Sequence, residues 1–325
     1  MNTEFSAPPP QMISVVVPAF NEAEGIAAFL EMLFATLRNC CAVFEVWVID
    51  DGSRDDTWAR LCAEQSRYPQ LHGLRFTRNF GKEAAILAGL RQARGDAVIV
   101  MDADGQHPPS LLTEMLGLWR KGPAQIVAAT KSGRQNDGWS ARINAQIFNR
   151  LMKSLTGLDL ANASDFRLLD RRVVDALLSF PEKIRFFRGM TAWTGFLTAE
   201  IDFEVAPRIA GTSQWSTSQL TRLAISAITA YSAKPLGMIF RLGVMGMVAA
   251  GLLVLQALYS WMMDIAVSGW TSLTIVLLFF GSANLLGIGV LGVYLAHIFD
   301  EIKGRPEFLV RESLGDPAKP RTSGC

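Results

Sequence analysis

Ala97-Val98-Ile99-Val100-Met101-Asp102-Ala103-Asp104-Gly105-Gln106-His107-Pro108-Pro109 changes from an apolar run to turn residues at its midpoint. A short unbroken apolar run rich in branched residues reads as a buried strand of a parallel sheet. Pro109 opens a helical pattern running to Arg120, since a proline in the first turn forfeits no hydrogen bond. Asp102 and Asp104 therefore stand just past a strand end, where open α/β sheets bind their ligands. In extended backbone, positions i and i+2 face the same way, so two such carboxylates can converge on one hard cation. Mg²⁺ or Mn²⁺ takes oxygen ligands shared with substrate phosphates, and Gln106 can add a neutral oxygen. A lone Asp-x-Asp is also common as solvated turn acids, so its surroundings decide.

Two further strand patterns lie upstream, at Ile13 to Val17 and Phe44 to Ile49, and helical patterns cover Glu22 to Arg38, Asp55 to Ser66 and Lys82 to Ala93. This alternation predicts an α/β domain. Asp50 and Asp51 follow the second strand, opening Asp50-Asp51-Gly52-Ser53-Arg54-Asp55-Asp56-Thr57. Ser53, Asp55 or Asp56 would serve as a helix cap, but capping does not explain two adjoining strand-end acids. Hydrogen bonding to a nucleoside base or ribose is the alternative. In Arg78-Asn79-Phe80-Gly81-Lys82 a glycine and two cations precede a helix whose first N–H groups suit a phosphate. A glycine turn with exposed cations accounts for the same residues.

The chain has 325 residues, is half hydrophobic and carries a net charge of only +1, which argues against nucleic acid as a partner. Cys40, Cys41, Cys62 and Cys325 have neither metal-ligand spacing nor the density of a disulfide scaffold, and fit a reducing compartment. His72, His107 and His297 do not cluster, so no histidine metal centre is indicated. Residues 1–11 are polar and Pro-rich, unlike a secretory leader, and read as a disordered tail.

Apolar residues concentrate late. Leu242 to Met263 and Ile265 to Phe299 contain no Asp, Glu, Lys or Arg, and each exceeds the roughly 20 residues that cross a bilayer core. Arg222, Lys234 and Arg241 precede the pair and Lys303, Arg305 and Arg311 follow it, whereas the connecting loop holds Asp264 and no Lys or Arg. The positive-inside rule then places both flanks in the cytoplasm. Leu220, Leu223, Ala224, Ala227, Ile228 and Tyr231 recur at helical spacing, as in a helix lying on the membrane surface. The expected organisation is a tail over 1–11, a catalytic domain over 12–215, an amphipathic segment over 216–235, spans over 236–263 and 270–297, and a cytoplasmic tail over 298–325.

Pro18-Ala19-Phe20-Asn21-Glu22, Asp50-Asp51-Gly52-Ser53, Arg78-Asn79-Phe80-Gly81-Lys82 and Met101 to Pro109 together resemble, in order and spacing, the family-2 glycosyltransferases of GT-A fold. With Asp165-Phe166-Arg167-Leu168-Leu169 and two late spans, the chain looks like the polyprenyl-phosphate glycosyltransferases, among them bactoprenol glucosyltransferases and dolichol-phosphate mannose synthases. The likeness runs from Ile13 to about Arg311. It implies that Pro18, Asn21, Glu22, Asp50 and Asp51 line the donor pocket, that Lys82 and Asp102 meet its phosphates, and that Asp102, Asp104 and Gln106 hold Mg²⁺ or Mn²⁺. It further implies a nucleotide diphosphate sugar as donor, UDP-glucose foremost, with UDP-N-acetylglucosamine, GDP-mannose or an aminosugar donor open. The acceptor is then undecaprenyl or another polyprenyl phosphate, and the location a bacterial plasma membrane. A homo-oligomer is also compatible with the family. Gly211-Thr212-Ser213-Gln214-Trp215 lacks the lysine of the commoner Gly-x-Ser-Lys-Tyr pattern, so a phosphate role of that lysine is not carried over, and compensation by Arg208 is left open.

A phosphate monoester is largely a dianion at neutral pH, its second pKa being about 6, so it needs cations more than a strong base. Arg134, Arg142, Arg150, Arg167, Arg185, Arg188 and Arg208 lie between the acidic motif and the spans, and of these Arg134, Arg142 and Arg208 are the expected acceptor-phosphate ligands. Arg134, Asp104 and Asp165 are the expected catalytic residues, with Asp165 open as base, as orienter of an arginine or the acceptor, or as a structural partner of Arg167. A processive polysaccharide synthase would need more spans and a Gln-x-x-Arg-Trp motif, which is absent. A non-catalytic assembly or lipid-binding subunit fits poorly with acidic motifs that are all intact.

Overall fold

The computed structural model describes residues 12–41, 43–131, 163–182, 186–203, 234–263 and 269–315. They fall into two compact units, one of residues 1–214 with 306–325 and one of residues 215–305.

The first unit is built on an eight-stranded sheet of order β7-β5-β6-β4-β1-β2-β3-β8. Its parallel centre comprises β1 (Ile13–Ala19), β2 (Phe44–Asp50), β3 (Leu71–Phe76) and β4 (Ala97–Val100). Beyond β4 lie β5 (Ile126–Lys131), β6 (Ala163–Asp170) and β7 (Thr198–Phe203), with β6 antiparallel to both β4 and β5. Four helices intervene: α1 (Ile26–Cys40), α2 (Thr57–Gln65), α3 (Lys82–Gln92) and α4 (Leu111–Lys121). After β6 come α5 (Arg171–Ser179) and α6 (Phe187–Trp193).

Every residue of β1 and β2 is buried, as mainly apolar strands of a covered sheet require, and the buried Ser14 hydroxyl donates to Glu45 Oε1 at 2.6 Å. Val15 and Val17 join the cluster formed with Phe29, Leu30 and Leu33 of α1 and Leu112 and Met115 of α4. On the opposite face, Trp47, Ile49, Leu74 and Phe76 meet Ala85 and Ala88 of α3. The strand order places β1 between β2 and β4, so the chain reverses direction across the sheet there. That is the switch point at which a crevice opens above the strand ends.

α1 starts at Ile26, four residues later than Glu22, where the helical pattern began. The intervening loop is held by the next strand-end segment. Ser53 Oγ accepts from Asn21 N at 2.9 Å, Thr57 Oγ1 from Glu22 N at 2.9 Å and Asp55 Oδ2 from Ala23 N at 3.0 Å. Polar residues that suit a cap thus fix the neighbouring loop as well.

The second unit contains α7 (Lys234–Met262) and α8 (Trp270–Ile302). A Cβ on Gly246 would meet Phe280, and one on Gly287 would meet Ile239, so the two helices pack antiparallel. Ile239–Ser260 and Phe279–Ala296 are long and apolar enough to cross a membrane. Their side chains point outward: Phe240 is 73% exposed, Leu277 70% and Leu285 71%.

Part of the expected tail over 298–325 has regular structure. Residues 298–302 continue α8, and Val310–Leu314 form β8, which pairs antiparallel with β3. Glu312 of β8 accepts from Trp58 Nε1 at 2.8 Å and from Arg75 at 3.1 Å, and Phe308 stacks on Phe76. A strand of alternating charged and apolar residues serves at a sheet edge, and its sequence therefore resembles a polar tail.

Candidate active site

Three strand ends supply the crevice. In register, Ala19 lies beside Asp50 and Val16 beside Val100, so the residues following β1, β2 and β4 emerge side by side. These residues are Asn21 and Glu22, Asp50 and Asp51, and Asp102 to Gln106. Pro18 is buried in β1 beneath them.

Asp51 shapes the crevice wall. Its carboxylate accepts Phe80 N at 2.7 Å and Gly81 N at 2.9 Å, which draws the 78–81 loop over β2. Gly52 makes this approach feasible, because at φ +68° a Cβ there would stand 2.4 Å from the Arg78 carbonyl carbon. Burial pushes the Asp51 carboxyl up to about 6 despite these two donors. Asp50, fully buried, accepts Ser53 N at 2.8 Å, while its other oxygen lies 3.5 Å from Arg75 Nε. Burial raises this carboxyl too.

The acidic motif lies in the turn after β4. Ala103 is buried while Asp102 and Asp104 on either side are half-buried, so the alternation expected of an extended segment persists. Asp104 Oδ1 accepts Gln106 N at 3.0 Å, and Gly105 turns the chain at φ +72°. His107 is buried, stacks on Phe166 with ring centroids 5.0 Å apart, and takes the Asp102 N–H on Nδ1 at 3.2 Å. His107 thus pins the turn. Among the described residues no group of three or more His, Cys, Asp or Glu is arranged to hold a metal alone. The donor set of two carboxylates and an amide instead fits a hard cation that completes its shell with substrate phosphates.

A cation already sits on this motif. Lys82 Nζ lies 2.6 Å from Oδ1 and 2.9 Å from Oδ2 of Asp102, and 2.5 Å from Asp165 Oδ2. Arg188 of α6 grips the same Asp165, with Nε 2.7 Å from Oδ1 and a terminal nitrogen 3.0 Å from Oδ2. Burial alone would raise Asp165, but the charges of Lys82 and Arg188 outweigh it and hold the carboxyl well below the usual carboxylate range. Burial would likewise lower Lys82, yet Asp102 and Asp165 hold its ammonium well above the usual lysine value. Arg167 turns away: it donates to Ser164 O at 3.1 Å and to Thr191 Oγ1. Among the described residues, the ion-pair partners of Asp165 are therefore Lys82 and Arg188, not Arg167.

Glu83, next to Lys82, accepts Phe187 N at 2.8 Å and borders an apolar cavity of about 20 Å³ with Leu87, Leu90, Leu177 and Met190. Burial and the nearby Asp165 charge push its carboxyl up to about 7. Sequence reasoning passed over Glu83, and grouped Arg188 with the other arginines. The one available signal was the pairing of opposite charges at the start of a helix. Arg134, Arg142, Arg208 and the 211–215 segment lie outside the described residues.

The profile of glycosyl transferase family 2 matches residues 14–178, which hold all these acidic positions. The chain belongs to glycosyl transferase family 2. This family 2 glycosyltransferase is 34% identical over 310 residues to an uncharacterised glycosyltransferase of Synechocystis, covering 93% of this chain and 96% of the relative. It is 36% identical over 314 residues to a protein of Shigella flexneri named prophage-derived bactoprenol glucosyl transferase, covering 94% and 99% respectively. Among solved structures, mannosyl-3-phosphoglycerate synthase of Rubrobacter xylanophilus aligns at 19% identity and a TM-score of 0.47, covering 71% of this chain and 75% of that one. The chain has the GT-A fold and is a glycosyltransferase.

Proposed function

We propose that this glycosyltransferase moves a hexose from a nucleotide diphosphate sugar, UDP-glucose foremost, to a polyprenyl phosphate such as undecaprenyl phosphate at the membrane surface. The observation that carries this reading is the convergence of Lys82, Asp102, Asp165 and Arg188 above the switch point, next to the Asp102-Ala103-Asp104 turn. The name of the Shigella flexneri relative, aligned over almost its whole length, supports the acceptor and the sugar.

Asp102, Asp104 and Gln106 would hold Mg²⁺ or Mn²⁺, which supplies positive charge against the donor diphosphate as it departs. Pro18, Asn21, Glu22, Asp50 and Asp51 would form the nucleoside side of the crevice. Lys82, released from Asp102 when the donor arrives, has its ammonium in reach of the phosphates. Arg134, Arg142 and Arg208 would bind the acceptor phosphate, whose oxygen attacks the anomeric carbon in line. The bond from that carbon to the diphosphate oxygen breaks, the nucleotide diphosphate leaves and the configuration inverts. Since the acceptor arrives largely as a dianion, no strong base is required, and Asp165, held ionised between two cations, serves to orient Lys82.

The outward apolar surfaces of α7 and α8 support insertion, since core helices of a soluble protein would bury them. β8 supports the topology. A strand following α8 completes the same sheet as β1 to β7, which requires an even number of crossings between them. With two spans, the catalytic unit and the chain after α8 lie on one face, and the flanking Lys and Arg residues make that face cytoplasmic.

Incubating the detergent-solubilised protein with undecaprenyl phosphate, a panel of radiolabelled nucleotide sugars and Mg²⁺ or Mn²⁺ tests the proposal. Label in the lipid phase from one donor, abolished by EDTA, is the expected result. Folded protein that labels lipid from no donor refutes it.

A further inference from the structure

We propose that Glu83 and Arg188 are positioning residues for transfer, forming one chain that sets the Asp165 carboxylate and through it Lys82. The proposal rests on the transfer function argued above.

The contacts form a closed ring. Lys82 and Glu83 are consecutive in the first turn of α3. Lys82 reaches Asp165 of β6, and Glu83 accepts the Phe187 N–H at the start of α6. Arg188, the next residue of α6, returns to Asp165 with two nitrogens on two different oxygens. Three elements distant in sequence thus hold one another through four side chains. A planar guanidinium forking a carboxylate fixes its plane as well as its position, which an ammonium cannot do. The Phe187 N–H is among the first donors of a helix and has no partner within it, so Glu83 determines where α6 begins and where Arg188 points. Lys82 lies at the far end of this chain, 2.6 Å from the acid motif. A misplacement of about 1 Å in such a group can cost up to about 100-fold in rate.

The experiment uses the full chain in detergent and follows radiolabelled glucose from UDP-glucose to undecaprenyl phosphate, with kcat, donor KM and melting temperature measured for each variant. Arg188→Lys, which keeps the charge and loses the fork, is expected to lose about 10- to 100-fold in kcat with an unchanged melting temperature. Its donor KM should stay within about 2-fold of the parent. Glu83→Gln keeps an oxygen for the Phe187 N–H and should stay near parental kcat, whereas Glu83→Ala should fall as far as Arg188→Lys. In the double variant Glu83→Ala/Arg188→Lys the losses should not multiply, because both break the same chain. Parental kcat in Arg188→Lys, multiplying losses, or a kcat loss that merely follows the melting temperature would overturn the proposal. If Glu83→Ala does not fold, Arg188→Lys against Glu83→Gln decides by the same criteria. Parent protein that moves no sugar to lipid from any donor removes the transfer function, and this role with it, whereas active parent with unaffected variants removes only the role.

Discussion

Lys82 places its ammonium on both oxygens of Asp102, at 2.6 and 2.9 Å, the lone pairs that a divalent cation would need. Two cations cannot share them. Lys82→Ala should therefore bind Mn²⁺ in the absence of donor more tightly than the parent, while transferring sugar more slowly. Titration followed by electron paramagnetic resonance of free Mn²⁺ measures the first effect. Unchanged or weaker binding would mean that Lys82 does not compete at the acid motif.

Gly52→Ala should destabilise the catalytic unit by about 1–3 kcal/mol, the usual range for a side chain forced into left-handed backbone. The added Cβ also meets the Arg78 backbone, so the 78–81 loop must move away from Asp51. Chemical unfolding followed by tryptophan fluorescence tests this, and parental stability would contradict the packing of that loop.

The strand that follows the apolar helices carries its own prediction. Glu312→Ala leaves the buried Trp58 N–H without its acceptor, at an expected cost of about 1–3 kcal/mol. A lower melting temperature with apolar helices intact checks it. No change would mean that β8 contributes little to the sheet.

β1, β2 and β4 were legible as short, mainly apolar runs, the last two leading into acids, whereas β3 was not, because His72, Gly73 and Arg75 interrupt its apolar residues. That pattern put Asp102 and Asp104 just past a strand end, and the neighbouring motifs, taken together, carried the expectation of a metal and diphosphate site. β8 was not legible, since Val310-Arg311-Glu312-Ser313-Leu314 alternates charge and apolar residues, and its partners Arg75 and Trp58 are more than two hundred residues away in sequence. Glu83 and Arg188 escaped for the same reason: their meaning depends on α3, β6 and α6 converging in space. Asp51, expected to line the nucleoside pocket, also accepts the Phe80 and Gly81 N–H groups, a use that residue type and spacing do not reveal.

Glu83 makes stability depend on pH. Its carboxyl is pushed up to about 7 in the folded protein from an ordinary value of 4.5, so the native state holds this proton more tightly than the unfolded chain. Stability from this group is present below its ordinary value and is lost as pH rises through about 7. Asp51, raised to about 6, acts in the same direction at somewhat lower pH. The melting temperature of Glu83→Gln should therefore fall less than that of the parent between pH 5 and 8, within the window bounded by about 4.5 and 7. Parallel curves would contradict the raised carboxyl.

Asp104→Asn in the purified, folded protein tests the central claim most directly, with transfer of labelled sugar to undecaprenyl phosphate as the readout. The side chain keeps its size and an oxygen for the Gln106 N–H, but loses the charge on which a divalent cation and the donor diphosphate depend. Loss of transfer by at least about 100-fold, with an unchanged melting temperature, is the predicted result. Transfer near the parental rate would contradict the assignment of Asp102-Ala103-Asp104 as the seat of the chemistry.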